Sequence, residues 1–279
     1  MVKSVGWQNF NKNFEMFNSA AIIVNSSKDG ALEFAREFSE KIEKYFQKVD
    51  IFSSYPVQTE NLDGHDLCFT IGGDGTLLGI ASILAKKNIP VVSINHGSLG
   101  FLSTTNVKNA LGCVQVLKNG QFYISERHLI QANIGENAIT ALNEIVLRSV
   151  DCAHATRLEL RYNNKIVARY VADGLIISSS TGSTAYNLSA GGPVAHPDIQ
   201  AILATSICPH SGPKNTIMFP AKSVLTVNEI AGKFAIYADG NYIDRASNVE
   251  ISTAEPKLKI IQLSKDPFFA TLGEKLDFD

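Results

Sequence analysis

Leu67-Cys68-Phe69-Thr70-Ile71-Gly72-Gly73-Asp74-Gly75-Thr76-Leu77-Leu78 is the stretch whose reading decides the fold. An apolar strand, Leu67 to Ile71, runs into a glycine-rich turn and then into a helix-like segment from Leu77 to Ala85. Glycines at a strand-to-helix junction let backbone N–H groups approach an anion closely, and the helix N-terminus adds partial positive charge. Gly72, Gly73, Gly75 and Thr76 are therefore candidate phosphate contacts. Asp74 is the odd member, because a site built only to hold phosphate would not carry a carboxylate. The acid must take a proton, bind a metal or meet a ligand hydroxyl, and the first and third roles suit a kinase whose acceptor is an alcohol. A tight turn capped by an aspartate is the plain structural alternative.

Two other phosphate signatures can be checked in the same place. The Walker pattern G-x-x-x-x-G-K-[ST] is absent, which argues against a P-loop enzyme. Gly73, Gly75 and Gly79 imitate a dinucleotide fingerprint with one residue too many, and the acidic residue expected about 20 positions on is missing.

Working outward, Ala20 to Asn25 reads as a strand, and Phe34, Phe38, Ile42 and Phe46 recur at four-residue spacing as the apolar face of a helix. Val49–Phe52, Leu67–Ile71 and Pro90–Ile94 continue the strands, with a further helix from about Val107 to Leu117. Alternating strands and helices predict an α/β domain with a doubly wound parallel sheet. The loops after Ile71 and Ile94 then leave at the carboxyl edge, where open α/β sheets hold their ligands, so Gly72–Thr76 and Asn95–Ser103 should share one crevice.

From about Gln121 the period changes. Leu158, Leu160 and Tyr162 alternate with Arg157, Glu159 and Arg161 before an Asn163-Asn164 turn and a return strand through Ile166, Ala168 and Tyr170, the pattern of a β-hairpin. Further short strands are expected at Leu142–Leu147, Gly174–Ser178, Val224–Val227, Phe234–Tyr237 and Leu258–Leu263, giving a mainly β second domain. The expected division is 1–120 for the α/β domain, with 266–279 returning to it, and 121–265 for the β-rich domain, packed together around a cleft.

With 25 basic and 27 acidic residues among 279 and a net charge of −2, bulk charge suggests neither nucleic acid nor a membrane surface, and the expected partners are small molecules. Cys68, Cys113, Cys152 and Cys208 lie far apart without a C-x-x-C pair, and Cys68 and Cys208 sit in apolar runs that suit a thiol acting as a small hydrophobe. No disulfide or zinc site is expected. Residues 1–19 lack the hydrophobic centre of a signal peptide and no uncharged apolar stretch reaches membrane-spanning length, so a cytoplasmic location is expected.

Seven Ser and Thr hydroxyls crowd into the twelve residues from Ser178 to Ser189, beside an apolar strand. Small hydroxyl residues leave room for a ligand and offer donors and acceptors, while Tyr186 could give an aromatic face to a base. A turn capping a helix near Ser183 is the structural alternative. Asn143-Glu144 puts an amide and a carboxylate inside an otherwise apolar strand, where a structural pair and recognition of a base and a ribose explain the sequence about equally.

Four motifs taken together resemble the NAD kinase family over nearly the whole chain: Gly72-Gly73-Asp74-Gly75-Thr76, then Asn95-His96-Gly97-Ser98-Leu99-Gly100-Phe101-Leu102, then Asn143-Glu144, then Asp173-Gly174 with Thr181-Gly182-Ser183-Thr184-Ala185-Tyr186. The first is shared with lipid and sugar kinases, whereas the Asn-Glu pair and the Thr181–Tyr186 segment are more specific. The resemblance implies transfer of the γ-phosphoryl group of ATP, with Mg²⁺ held through the ATP phosphates, to the 2′-hydroxyl of the adenosine ribose of NAD, yielding NADP. Asp74 would accept the proton, beside Gly75. Phe101 would pack against the adenosine, Asn143 and Glu144 would hold its base and ribose, and Thr181 with Thr184, Ala185, Tyr186, Asn187, Leu188 and Ser189 would line the dinucleotide. His154 and Asp173 would lie on the nicotinamide side, Asp173 acting across a subunit interface of a homodimer or homotetramer. Asn241 would take the place of a family Gln, one methylene shorter.

The chain departs from the family pattern at Val171, where Arg or Gln is frequent, and at Gly212–Thr216, where Leu-Ser-x-Arg-Pro is common. His65 and His128 have no partner at metal spacing and read as structural or exposed; His196 reads as a loop residue, and Lys86-Lys87 as a solvated helix end. A lipid or sugar kinase sharing only the glycine loop, or a dinucleotide-binding sensor without catalysis, are the alternatives. The choice between ATP and polyphosphate as donor stays open.

Overall fold

The computed structural model describes residues 8–9, 17–53, 59–98, 100–151, 154–230 and 233–276. Leu99 and Cys152, and most of the N-terminal stretch read for a signal peptide, lie outside the described residues. Met1–Glu126 with Lys257–Asp279 make one compact unit and Arg127–Pro256 the other.

In the first unit a short strand β1 (Gln8–Asn9) precedes β2 (Ser19–Val24), α1 (Ala31–Ile42), β3 (Lys48–Phe52), β4 (Leu67–Gly72), α2 (Asp74–Lys87), β5 (Val91–Asn95), β6 (Thr105–Asn106), α3 (Ala110–Lys118) and the start of β7 (Tyr123–Ile134). Strands β5, β4, β2 and β3 lie side by side in that order, all parallel. Every residue of β2, β4 and β5 is buried, as helices on both faces of a parallel sheet require. Phe38 of α1 meets Phe69 of β4 edge-on at 5.2 Å, and Val114 and Leu117 of α3 join the same core. The four-residue spacing of α1 holds through Ile42, but the helix stops there; Phe46 follows a 3-10 turn and still packs on Phe69. Helix α2 ends on Asn88 in the left-handed region, with Lys86 and Lys87 in its last turn, where positive charge suits the dipole. Lys87 also pairs with Asp63.

The second unit carries the rest of β7, β8 (Asn137–Ala141), β9 (Glu144–Ser149), β10 (Thr156–Tyr162), β11 (Lys165–Ala172), β12 (Gly174–Ser179), the one-turn helix α4 (Tyr186–Ser189), β13 (Ala201–Ile207), β14 (Ile217–Pro220), β15 (Leu225–Glu229), β16 (Phe234–Ala238), β17 (Asn241–Ala246) and most of β18 (Asn248–Gln262). One antiparallel sheet has the order β14-β13-β12-β9-β16-β17, and a second sequence of antiparallel neighbours runs β11-β10-β15-β18. Leu147, Leu175 and Phe234 from the first pack with Leu160, Leu225 and Val249 from the second in a single core. The predicted hairpin is present as β10 and β11, and Asn163 and Asn164 both take positive φ, the two-residue turn that matches strand twist. Five strands of this half went unforeseen, β7, β8, β13, β14 and β17, and Leu258–Leu263 proves to be the tail of the fifteen-residue β18. That tail returns to the first unit, where Ile260 pairs with Val91, and the chain continues to α5 (Phe268–Leu276). The units thus divide inside two strands, β7 and β18, with no linker composition to mark either place.

Cys68 and Cys113 are buried free thiols, the latter pushed up to about 12 by burial. Cys208, expected to be a buried hydrophobe, is exposed at positive φ just past the end of β13. No helix among the described residues is long and apolar enough to cross a membrane.

Candidate functional site

Gly72 and Asn95 are register partners at the ends of β4 and β5, so the two loops that follow leave the sheet side by side. They meet at Asp74. The structure starts α2 at Asp74 itself, with Gly73 as its cap, so Asp74, Gly75 and Thr76 form the first helical turn rather than a loop before it. The Asp74 carboxylate accepts the N–H of Phe101 at 3.0 Å on Oδ2 and that of Leu102 at 3.4 Å on Oδ1. Gly100 makes this possible, since a Cβ there would lie 1.9 Å from Asp74 Oδ1. Burial pushes the Asp74 carboxyl above the usual range, against the pull of the Leu102 and Phe101 amides and of the charges on Lys275 and Lys28.

Lys28 is a site residue that sequence reading missed. Its Nζ donates to the His96 carbonyl at 3.2 Å and stands 3.3 Å from where a Cβ of Gly73 would be, over the glycine turn. The signal was available, because the loop after β2 leaves the same sheet edge as the two loops that were singled out. Thr76 Oγ1 and Asn95 Oδ1 are buried there without a hydrogen-bond partner among the described residues. The Phe101 ring is half-buried, 6.3 Å from the Phe268 ring.

In the second unit Asn143 and Glu144 do not sit within a strand as expected; Asn143 lies at a bend and Glu144 opens β9. Asp239 fixes that bend. Its carboxylate accepts the N–H groups of Leu142 at 2.7 Å, Asn143 at 2.8 Å and Glu144 at 3.2 Å, while its own N–H returns a bond to the Glu144 carbonyl at 3.1 Å. Glu144 is buried, its Oε2 has no hydrogen-bond partner among the described residues, and burial followed by the Asp239 charge pushes its carboxyl up to about 8, opposed by the Tyr186 N–H. Burial raises Asp239 too, but three amides favour its ionised form, so Glu144 is the member of the pair that keeps the proton near neutrality.

The hydroxyl-rich segment packs directly on that bend, because a Cβ on Gly182 would fall 2.2 Å from the Asn143 carbonyl. Four of its hydroxyls serve protein carbonyls. Ser178 donates to Asn143, Ser179 to Leu142, Ser180 to Ile199 and Ser183 to Ala195. These four serines serve the fold, and none of them is among the residues that the family resemblance assigns to the dinucleotide. Thr181 is buried in a 3-10 turn, and Thr184, Ala185, Tyr186 and Leu188 are half-buried. Ser189 is exposed. Asn187 is wholly buried; its amide donates to Ser183 and Pro193 carbonyls and accepts the Thr205 hydroxyl at 2.7 Å, so it shapes the turn.

Asp173 is half-buried between β11 and β12, its N–H bonded to the Ile207 carbonyl. His154 is exposed, its ring paired with Asp151 at 2.6 Å. Asn241 is exposed, next to Asp239, and its amide reaches the Asp239 carbonyl at 3.4 Å. The two departures from the family pattern are neighbours, with Val171 bridged to Ser211 and Gly212 seated against Arg169 and Tyr170. His65 is buried against Asp50 at 3.0 Å, a structural pair. No cluster of three or more His, Cys, Asp or Glu side chains that could hold a metal occurs among the described residues.

The family models described as ATP-NAD kinase N-terminal domain and ATP-NAD kinase C-terminal domain match residues 13–122 and 142–263. The NAD kinase of Clostridium beijerinckii is 31% identical over 271 residues, 93% of this chain and 95% of that protein. The NAD kinase of Methanothermobacter thermautotrophicus is 34% identical over 238 residues, 84% of this chain and 83% of its own. Among solved structures, yeast NADH kinase complexed with NADH superposes with a TM-score of 0.86 at 22% identity, covering 100% of this chain and 93% of that one. An Archaeoglobus fulgidus NAD kinase in complex with ATP gives 0.76 at 24%, covering 93% and 98%. At those identities the two structures speak for the fold.

Proposed function

The chain belongs to the NAD kinase family and is an enzyme of it, and on that premise we propose that it moves the γ-phosphoryl group of ATP to the adenosine-ribose 2′-hydroxyl of NAD with Asp74 as the base. The observation that carries this reading is the Asp74 carboxylate itself, half-buried in the first turn of α2, held by two backbone amides and flanked by Lys28. A secondary alcohol is a weak nucleophile. As its oxygen bonds to the γ-phosphorus and the bond to the β-phosphate oxygen breaks, Asp74 takes the hydroxyl proton and ADP leaves. Burial makes the carboxylate a stronger base than it would be in water. Lys28 and the N–H groups of Gly73 and Gly75 would face the charge carried by the transferring phosphates, whereas the Thr76 N–H is already bonded to the Gly73 carbonyl.

ATP as donor agrees with the Archaeoglobus relative's bound ATP, and a dinucleotide acceptor with the NADH bound to the yeast enzyme. The described residues bring no three His, Cys, Asp or Glu side chains together, which fits Mg²⁺ carried on phosphates rather than caged by protein. Bound that way, Mg²⁺ would offset phosphate charge. On the acceptor side, Asn143 addresses the base and Glu144, protonated near neutrality, can both donate to and accept from a ribose or base atom. Phe101, Thr181, Thr184, Ala185, Tyr186, Leu188, Ser189 and Asn241 are assigned to the dinucleotide, with Asp173 and His154 towards the nicotinamide end. We further propose a cytoplasmic homodimer or homotetramer in which Asp173 acts across the interface. A lipid or sugar kinase leaves Asn143-Glu144 without a role.

A coupled assay for NADP from NAD, ATP and Mg²⁺, run beside Asp74→Asn, tests the reading. General-base removal should lower turnover by about 10²–10⁴-fold. NAD should still raise the melting temperature of the variant, since a ligand at 100 times its Kd adds about 2.7 kcal/mol. A variant that phosphorylates at the wild-type rate would overturn the assignment.

A further inference from the structure

We propose that Ser103 and Asn95 are positioning residues for catalysis, holding the Gly100–Leu102 turn so that its backbone amides orient the Asp74 carboxylate towards the acceptor hydroxyl. The inference rests on Asp74 being the base. Two oxygens of one carboxylate accept two successive amides, Phe101 to Oδ2 and Leu102 to Oδ1, which fixes the plane of the group and leaves other lone pairs for a proton. Those donors are main-chain atoms, so their aim depends on whatever holds the turn.

Ser103 does so from within. Its Oγ accepts the Gly100 N–H at 3.1 Å, and its own N–H reaches back to the Gly100 carbonyl at 3.4 Å. Asn95, 2% exposed at the end of β5, ties that hydroxyl to the sheet, its Nδ2 donating to Ser103 Oγ at 3.2 Å and to the Ser98 carbonyl. The chain of contacts runs from a rigid parallel strand through Asn95, Ser103 and Gly100 to the carboxylate. There is little slack in it, because the Gly100 α-carbon already touches Asp74. A misplacement of about 1 Å at a reacting group can cost 10²-fold.

The amides also favour the ionised carboxylate against burial, as do the charges that face it, Lys28 from the loop after β2 and Lys275 from α5. Loosening the turn therefore removes donors from the anion and leaves the lysines in place. The direction follows: Asp74 should hold its proton to higher pH, and the acid limb of the kcat profile should move up.

The experiment is a pair of pH profiles of kcat and KM, for wild type and Ser103→Ala, with Ser103→Thr and Asp74→Asn alongside. Ser103→Ala should lower kcat roughly tenfold, about 1.4 kcal/mol in the barrier, with both KM values kept within about twofold. Its acid limb should lie at higher pH than that of wild type, and Ser103→Thr, which keeps the hydroxyl, should restore both. A Ser103→Ala enzyme with wild-type kcat and an unmoved limb, or one changed in KM alone, overturns the inference while an inactive Asp74→Asn leaves the base assignment standing. An active Asp74→Asn removes both. Should Ser103→Ala be isolated unfolded, Ser103→Cys keeps the volume with a poor acceptor and is read in the same way.

Discussion

Glu144 and Asp74 are both pushed above the ordinary carboxyl range by burial, yet their neighbours set them to different work. Asp74 receives amides and faces lysines, which hold it ready to take a proton; Glu144 faces the Asp239 carboxylate, which keeps a proton on it up to about 8. The second case has a consequence for stability. Below the unfolded value of about 4.5 both folded and unfolded chains carry this proton, but between there and about 8 only the folded chain does, so its stabilising contribution is present at low pH and lost as pH rises through about 8. Urea midpoints at pH 5, 6.5 and 8 should show the wild type losing stability relative to Glu144→Gln with each step. Parallel curves would mean that Glu144 is ionised in the fold. Asp74 was legible from sequence because the glycine motif around it is local; the role of Asp239 was not, since its partners at Leu142–Glu144 lie almost a hundred residues away. Lys28 also contributes from another strand's loop, but there the shared sheet edge was a signal that could have found it.

At the scale of elements, composition identified segments more reliably than it identified their partners. The serines of 178–183 were conspicuous, but whether a hydroxyl faces a ligand or a carbonyl depends on which backbone the fold brings beside it, and four of them face carbonyls. Strand β13 was missed because it is buried on both faces and so has no alternation, and β17 because it is an edge with four of its six residues exposed, so no apolar face repeats. The hairpin β10–β11 was found because one face is buried and its turn residues are diagnostic. Gly182 is where such a turn bears on function. Gly182→Ala would drive a methyl into the Asn143 carbonyl, which must shift together with Glu144. The expected outcome is a stability loss of about 1–3 kcal/mol in thermal melts. NAD should bind more weakly to this variant by calorimetry, with ATP affinity unchanged; equal losses for both ligands would refute the assignment of this turn to the acceptor.

For the whole molecule, the α/β and mainly β halves were readable from the change of period near Gln121, because 3.6 and 2 are different repeats. The points of division were not, since each falls within a strand. Matches to the N-terminal and C-terminal family models occupy the two sides of that change. The strand tail that pairs Ile260 with Val91 and accepts the Thr104 hydroxyl at Ile261 comes after the entire second unit in the chain. Order of synthesis therefore runs against order of completion. A ribosome that has made β2 to β5 holds a sheet still lacking its neighbour at β5, and it must produce all of Arg127–Pro256, which has its own core, before that neighbour exists. Domains ordinarily fold N-terminal first at about 5–20 residues per second of synthesis. Here the later-made unit should resist protease first, so that chains arrested shortly after Pro256 clears the exit tunnel are cut within Leu67–Asn95 and spared within Leu147–Leu175. During translation the glycine turn that leads into Asp74 would be among the last parts of the enzyme to acquire its shape.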